Sequence, residues 1–227
     1  MSQEIIQPST AKTTPLKPGY NPSLGPIQLP ASYQNAVVSK GKTIYDQSLS
    51  RRTPEVNIAS LSFLFAGIVQ YVQSQSKSIQ DIEARLNALG YGVGTKFLEL
   101  VTLRDGKNAK RETRIVGVLQ FIQMQVWKTL FGKPADELQK ASDSENQYMI
   151  FDNVPLISQF ICVPKEFGKL NVGAFTAGII EGVLDAAHFQ ANVGAHTVDD
   201  DGSPLKTVFL IDFDHAVIER ENIRFGK

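Results

Sequence analysis

Between residues 55 and 75 the apolar positions Leu61, Leu64, Phe65, Ile68, Val69 and Val72 recur at steps of three and four. That period describes an amphipathic helix. Thr53-Pro54 is a suitable start, with a hydroxyl to cap and a proline for the first turn. Ser78, with Asp81 three residues on, marks the start of a second helix through Ile82, Leu86 and Leu89. The glycines at 90, 92 and 94 predict a halt, and Phe97, Leu98 and Val101 a resumption. After a polar turn over 104–110, a long helix is expected over 111–131. Ile115, Leu119, Ile122 and Val126 make one face of it, and Phe121, Met124, Trp127 and Phe131 spread around a second. A helix apolar on two sides is either central in its own core or shared between that core and a partner. Gly132 and Pro134 stop it.

Residues 138–146 are polar and loop-like, whereas 148–152 alternate and 156–163 run apolar, giving two strands around the Asp-Asn-Val-Pro turn. Residues 170–190 return to helical spacing. Ala174, Gly178, Gly182 and Ala186 lie four apart on one side, and the expected return for interior glycines is close approach of another backbone. Residues 193–198 and 206–213 read as strands joined by Asp199-Asp-Asp-Gly-Ser-Pro204. Strand pairs joined by short turns imply an antiparallel sheet beside helices, an α+β domain over 43–214. Six prolines from Pro8 to Pro30 set residues 1–42 apart as a solvated tail or an extended arm, and 215–227 read as a polar C-terminal tail.

The composition narrows the function. In 227 residues, 42% are hydrophobic, and 23 basic side chains balance 23 acidic ones. A chain without basic excess is a poor candidate for a nucleic-acid binder. One cysteine excludes an intramolecular disulfide framework and a cysteine zinc cluster, and three histidines leave little for other metal chemistry. The cysteine usage fits a reducing, intracellular compartment. No secretory leader and no stretch of membrane-spanning length is visible, so any membrane association is expected to be peripheral.

Candidate chemistry is sparse. Gly90, Gly92 and Gly94 follow a helix, not a strand, which is the wrong setting for a dinucleotide fingerprint. Asp199–Asp201 lacks the glycine and glutamate spacing of a calcium loop. Asp212, Asp214 and His215 read as a polar strand end. Cys162, near the end of an apolar strand, is expected to be buried and structural. Arg111, Glu112 and Arg114 open the long helix, and Glu99 is a candidate partner for the arginines; the alternative is a charged patch at a subunit boundary. No catalytic residue, cofactor site or metal site is assigned.

Taken in order, Gly90-Tyr-Gly-Val-Gly-Thr-Lys-Phe-Leu-Glu99, Lys110-Arg-Glu-Thr113 with the apolar helix behind it, Asn153-Val-Pro-Leu156, the 160–164 segment and the glycine-bearing helix 170–189 resemble the small α/β subunits of TRAPP, the transport protein particle. The proline-rich arm followed by Tyr45-Asp46 and Ser48-Leu-Ser50 is similar to one branch of that family. The resemblance implies helices packed on an antiparallel sheet of about four strands. It implies a non-catalytic connector role, without cofactor, in a complex that tethers vesicles in early secretory (ER-to-Golgi) traffic and acts as exchange factor for a Rab-family GTPase. Its implied neighbours are a palmitoyl-binding subunit and an adaptor subunit, and its implied place is the cytoplasm, peripheral at Golgi and ER–Golgi membranes. Pairing through the first two helices implies an interface of Leu61, Phe65, Ile68, Val72, Leu86 and Leu89, with Gly90, Gly94, Glu99, Arg111, Glu112, Gly178 and Gly182 as structural positions. The turn Asp105-Gly-Lys-Asn-Ala-Lys110 has no cysteine where the palmitoyl-binding relative carries its lipid, so no thioester lipid is expected. The alternative reading is a small-molecule or lipid-binding module with an apolar channel between the long helix and the glycine-bearing helix.

Overall fold

A computed structural model describes residues 56–106, 110–142, 144–164, 167–168, 170–198 and 205–226. The apolar stripe of α1 (Ile58–Gln75) folds as a helix, but its cap is Asn57, whose Oδ1 accepts the Ala59 N–H at 2.9 Å; Thr53-Pro54 lies outside the described residues. Ser78 caps α2 (Ile79–Asp105) by accepting the Asp81 N–H, and Asp81 reaches back to the N–H of Lys77. α2 runs unbroken for 27 residues through Gly90, Gly92 and Gly94, where the sequence predicts a break. The reason is tertiary, and lies in the helix that crosses it.

The next helix, α3, begins at Ile115 rather than Arg111. It runs as Ile115–Phe121, a π-helical turn over Ile122–Val126, and a final piece Trp127–Phe131 ended by Gly132 in the left-handed region. Gln123, in the π turn, exchanges hydrogen bonds with Ala135, whose N–H donates to its carbonyl at 3.1 Å. The widened turn thereby ties the chain after α3 to the helix.

β1 (Glu137–Lys140) occupies part of the expected polar loop; its single apolar residue, Leu138, packs against the core. β2 (Gln147–Asp152) follows. The apolar run 156–163 is not a strand. It turns beneath α1, where Ile157 is buried with Phe65 and Val172, and Ile161 and Val163 pack alongside. Cys162 in this segment is exposed, contrary to the buried position expected of it. α4 (Ala174–Ala186), β3 (Ala191–Thr197) and β4 (Thr207–Phe213) come next. The expected polar tail contains α5 (His215–Phe225), with Val217 in the main core.

The sheet is antiparallel with strand order β1-β2-β4-β3. Ile150, Phe209 and Ile211 on its inner face meet Leu119, Ile122 and Trp127 of α3 and Ile180 and Leu184 of α4 in one cluster. Trp127 stands edge-on to Phe209, ring centroids 5.4 Å apart. Its indole N–H donates to Asp152, a buried carboxylate that also accepts from Lys133 Nζ at 2.9 Å and the Val154 N–H. Five helices on a four-stranded sheet make an α+β domain among the described residues.

α5 fastens two helix ends. Glu221 accepts the Ile115 N–H at the start of α3 and pairs with Arg114 at 3.6 Å. Arg220 donates to the His188 carbonyl just past α4 and lies over Phe189. Negative charge at a helix N-terminus and positive charge at a C-terminus both oppose the local end of the dipole.

A candidate assembly surface on α1 and α2

α2 crosses α4 at a seam of four glycines. A Cβ on Gly90 or Gly94 would fall closer than 3.0 Å to the backbone carbonyl oxygens of Phe175 or Ile179 in α4. A Cβ on Gly178 or Gly182 would do the same to Asn87 or Tyr91 in α2. Each helix therefore presents glycine where the other presents backbone, and packing offsets the roughly 0.5–1 kcal/mol that each interior glycine costs against alanine. This is why α2 does not break: the helix-weakening residues are the ones that admit α4. Polar bonds lock the seam. Asn87 Nδ2 donates to Glu181 at 3.1 Å, and the Tyr91 hydroxyl donates to Asp185. The hydrogen bond to Asp185, reinforced by burial and its negative charge, raises the Tyr91 phenol above its ordinary value.

With one side fixed to α4, α2 leaves the other open. Leu89, Val93, Lys96, Phe97 and Leu100 line a shallow groove there around Gly92. α1 contributes the larger exposed face. It carries no charged residue from Ile58 to Gln75. Phe63, Leu64 and Tyr71 are 81%, 63% and 68% exposed, and the space above Gly67 is empty to 4 Å. A charge-free helix with exposed aromatics is unusual on a surface that meets only water.

The structure divides the six expected interface residues. Leu61 and Leu89 are exposed and Ile68 is half-buried. Phe65, Val72 and Leu86 are buried in the chain's own core, Phe65 against the Phe175 ring at 5.3 Å, so they are corrected from interface to core. Periodicity identifies that stripe as apolar without saying what covers it. Phe63, Tyr71 and Gly67 lie off the stripe, and the signal that would have found them is the absence of charge along the whole helix. Glu99, Arg111 and Glu112 are exposed, and among the described residues no ion pair joins Glu99 to an arginine; Arg114 turns to Glu221 instead. Glu112 lies before α3 and rests against Gly117. The expected channel between α3 and α4 is occupied: Leu119, Ile122, Ile180 and Leu184 are fully buried in one cluster. Among the described residues no three His, Cys, Asp or Glu side chains are arranged to hold a metal, and no helix is long and apolar enough to cross a membrane.

Comparison with known proteins agrees with this architecture. A family model described as transport protein particle (TRAPP) component matches residues 61–214. Trafficking protein particle complex subunit 5 of Dictyostelium discoideum is 47% identical over 178 residues, 78% of this chain and 95% of that one. The Homo sapiens protein of the same name is 39% identical over 190 residues, covering 83% and 97%. A crystal structure of a trafficking protein particle complex subunit 3 from Naegleria fowleri, covalently bound to palmitic acid, superposes with a TM-score of 0.60 at 16% identity, over 70% of this chain and 96% of that one. At that identity the superposition speaks for the fold alone. On the family match and the level of identity to its relatives, the chain belongs to the TRAPP component family.

Proposed function

We propose that this chain is a non-catalytic connector subunit of a multisubunit vesicle-tethering complex. The observation that carries the reading is the charge-free α1, which holds Phe63, Leu64 and Tyr71 in solvent on a rigidly mounted pair of helices. Exposed aromatics on a preformed helical face are the usual anchors of a lasting protein interface. The relatives named as trafficking particle subunits support membership of such an assembly. In this reading the partners are other small subunits, a palmitoyl-binding one and an adaptor among them. The assembled complex, not this chain, acts as exchange factor for a Rab-family GTPase in ER-to-Golgi traffic. The chain works in the cytoplasm, peripheral at Golgi and ER–Golgi membranes.

The test is capture from cells with a tagged chain and quantification of stoichiometric partners. A Phe63→Glu, Tyr71→Glu double variant is expected to fold, because exposed substitutions usually change stability by about 0.5 kcal/mol or less, and to lose its partners. A folded double variant that still joins the complex at full stoichiometry would refute the reading. So would an isolated chain that accelerates release of labelled nucleotide from a Rab-family GTPase.

A further inference from the structure

Most glycines inside the helices admit another part of the chain. Gly90 and Gly94 of α2 and Gly178 and Gly182 of α4 stand where the opposing helix brings its backbone, and Gly117 of α3 leaves room for the Glu112 carboxylate. Among the described helical residues, Gly67 of α1 and Gly92 of α2 remain. Both are exposed, and a Cβ on either meets nothing within 4 Å. A glycine within a helix weakens it relative to alanine. At these two positions no contact within the chain offsets that loss.

Each of the two also lies amid exposed apolar surface. Phe63 and Tyr71 are four residues either side of Gly67, on its own face of α1. Gly92 lies in the shallow groove with Leu89, Val93, Phe97 and Leu100. The α2–α4 seam shows what such a position accommodates, which is the backbone of a second helix. The charge pattern adds to this. α1 offers a partner no charge at all, whereas the groove on α2 carries a single one, Lys96, four residues after Gly92. Among the described residues no carboxylate pairs with Lys96.

We propose that a neighbouring subunit packs its own helices across α1 at Gly67 and across α2 at Gly92, backbone against backbone, as α4 packs across α2 inside the chain. The partner's face is apolar and uncharged against Phe63 and Tyr71, and bears a carboxylate opposite Lys96, where charge complementarity fixes its register. This inference rests on the reading of the chain as an assembly subunit. It adds the manner of contact and the two positions that set how closely the partner approaches.

Competition for places in the complex tests it. Full-length Gly67→Leu and Gly92→Leu chains are each expressed in cells beside a differently tagged wild-type chain, and the ratio of the two is measured in the purified complex. Each variant is expected to enter about tenfold less often than the wild type, because a side chain at a close helix crossing overpacks it. The urea midpoint of each isolated variant is expected to rise, since leucine is the better helix former. Opposite signs in the two measurements separate a blocked contact from a damaged fold. If a leucine variant fails to fold, Gly67→Ala and Gly92→Ala carry the same pair of expectations. Lys96→Glu is expected to be excluded and Lys96→Arg to be retained. Full incorporation of both leucine variants, with Phe63→Glu, Tyr71→Glu excluded, overturns the crossings and leaves the assembly role standing. Full incorporation of only one overturns the crossing at that glycine, and full incorporation of Lys96→Glu overturns the carboxylate. An isolated chain that dimerises, and loses its dimer in Gly67→Leu, overturns the proposal in favour of a second copy. Absence of any stoichiometric complex removes both readings together.

Discussion

Replacing Gly178 by alanine tests the seam that fixes α2 on α4. The new Cβ would lie closer than 3.0 Å to three backbone atoms of Asn87, its carbonyl oxygen, carbonyl carbon and Cα. Backbone inside a helix has no rotamer by which to move aside. Relief requires the helices to part by on the order of 1 Å, a gap that forfeits roughly a quarter to a half of each dispersion contact along the seam. The Asn87–Glu181 and Tyr91–Asp185 hydrogen bonds would stretch with it. Overpacking of this kind costs about 1–3 kcal/mol, and alanine's better helix propensity returns about 0.5–1. Gly178→Ala should therefore destabilise by about 0.5–2 kcal/mol. Gly67→Ala is the control. Nothing lies within 4 Å of its Cβ, so it should stabilise the isolated chain by about 0.5–1 kcal/mol. Urea unfolding followed by the fluorescence of Trp127, the sole tryptophan, measures both as midpoint shifts at constant slope. Thermal midpoints should move in opposite directions, by about 2–4 °C for each kcal/mol. A neutral or stabilising Gly178→Ala would refute the account of the seam.

Asp152→Ala should cost about 2–4 kcal/mol, because it strands the buried Trp127 N–H and releases Lys133; urea midpoints and a red-shifted tryptophan emission would report it. Glu221→Gln should lower stability by about 1 kcal/mol and speed proteolysis within α5, since it removes a negative charge from the start of α3; unchanged cleavage would show that α5 is held by Val217 and the Arg220 contacts without Glu221. Because the folded Tyr91 phenol titrates above its ordinary value, its contribution is present in full below pH of about 10 and is lost as pH rises through the folded value. The urea midpoint of the wild type should thus fall more steeply than that of Tyr91→Phe above that pH, and parallel curves would contradict the bond to Asp185.

Local chemistry was enough to place much of this protein from its sequence. The three-and-four spacing of α1, the Ser78 cap of α2, the helix around Gly178 and Gly182, and the β3–β4 hairpin are each written within a few consecutive residues. The order of the glycine, Arg-Glu-Thr and Asn-Val-Pro segments also carried the family resemblance. Tertiary structure decided the rest. Gly90, Gly92 and Gly94 weaken an isolated helix, yet α2 continues because α4 lies against two of them, a partner 88 or so positions away that no local window contains. The 156–163 run has a strand's composition, but its apolar side chains are claimed by the underside of α1 before any strand can pair with them. α5 looks polar because only Val217 is buried, and its two anchoring charges meet helix ends distant in sequence. The same limit governs the assembly surface. Phe63 and Phe65 are identical in chemistry and two residues apart, and two positions on a helix turn one toward solvent and the other into the core. Periodicity determines that the helix has an apolar face; only the folded arrangement determines which aromatics the chain buries for itself and which it leaves for a partner.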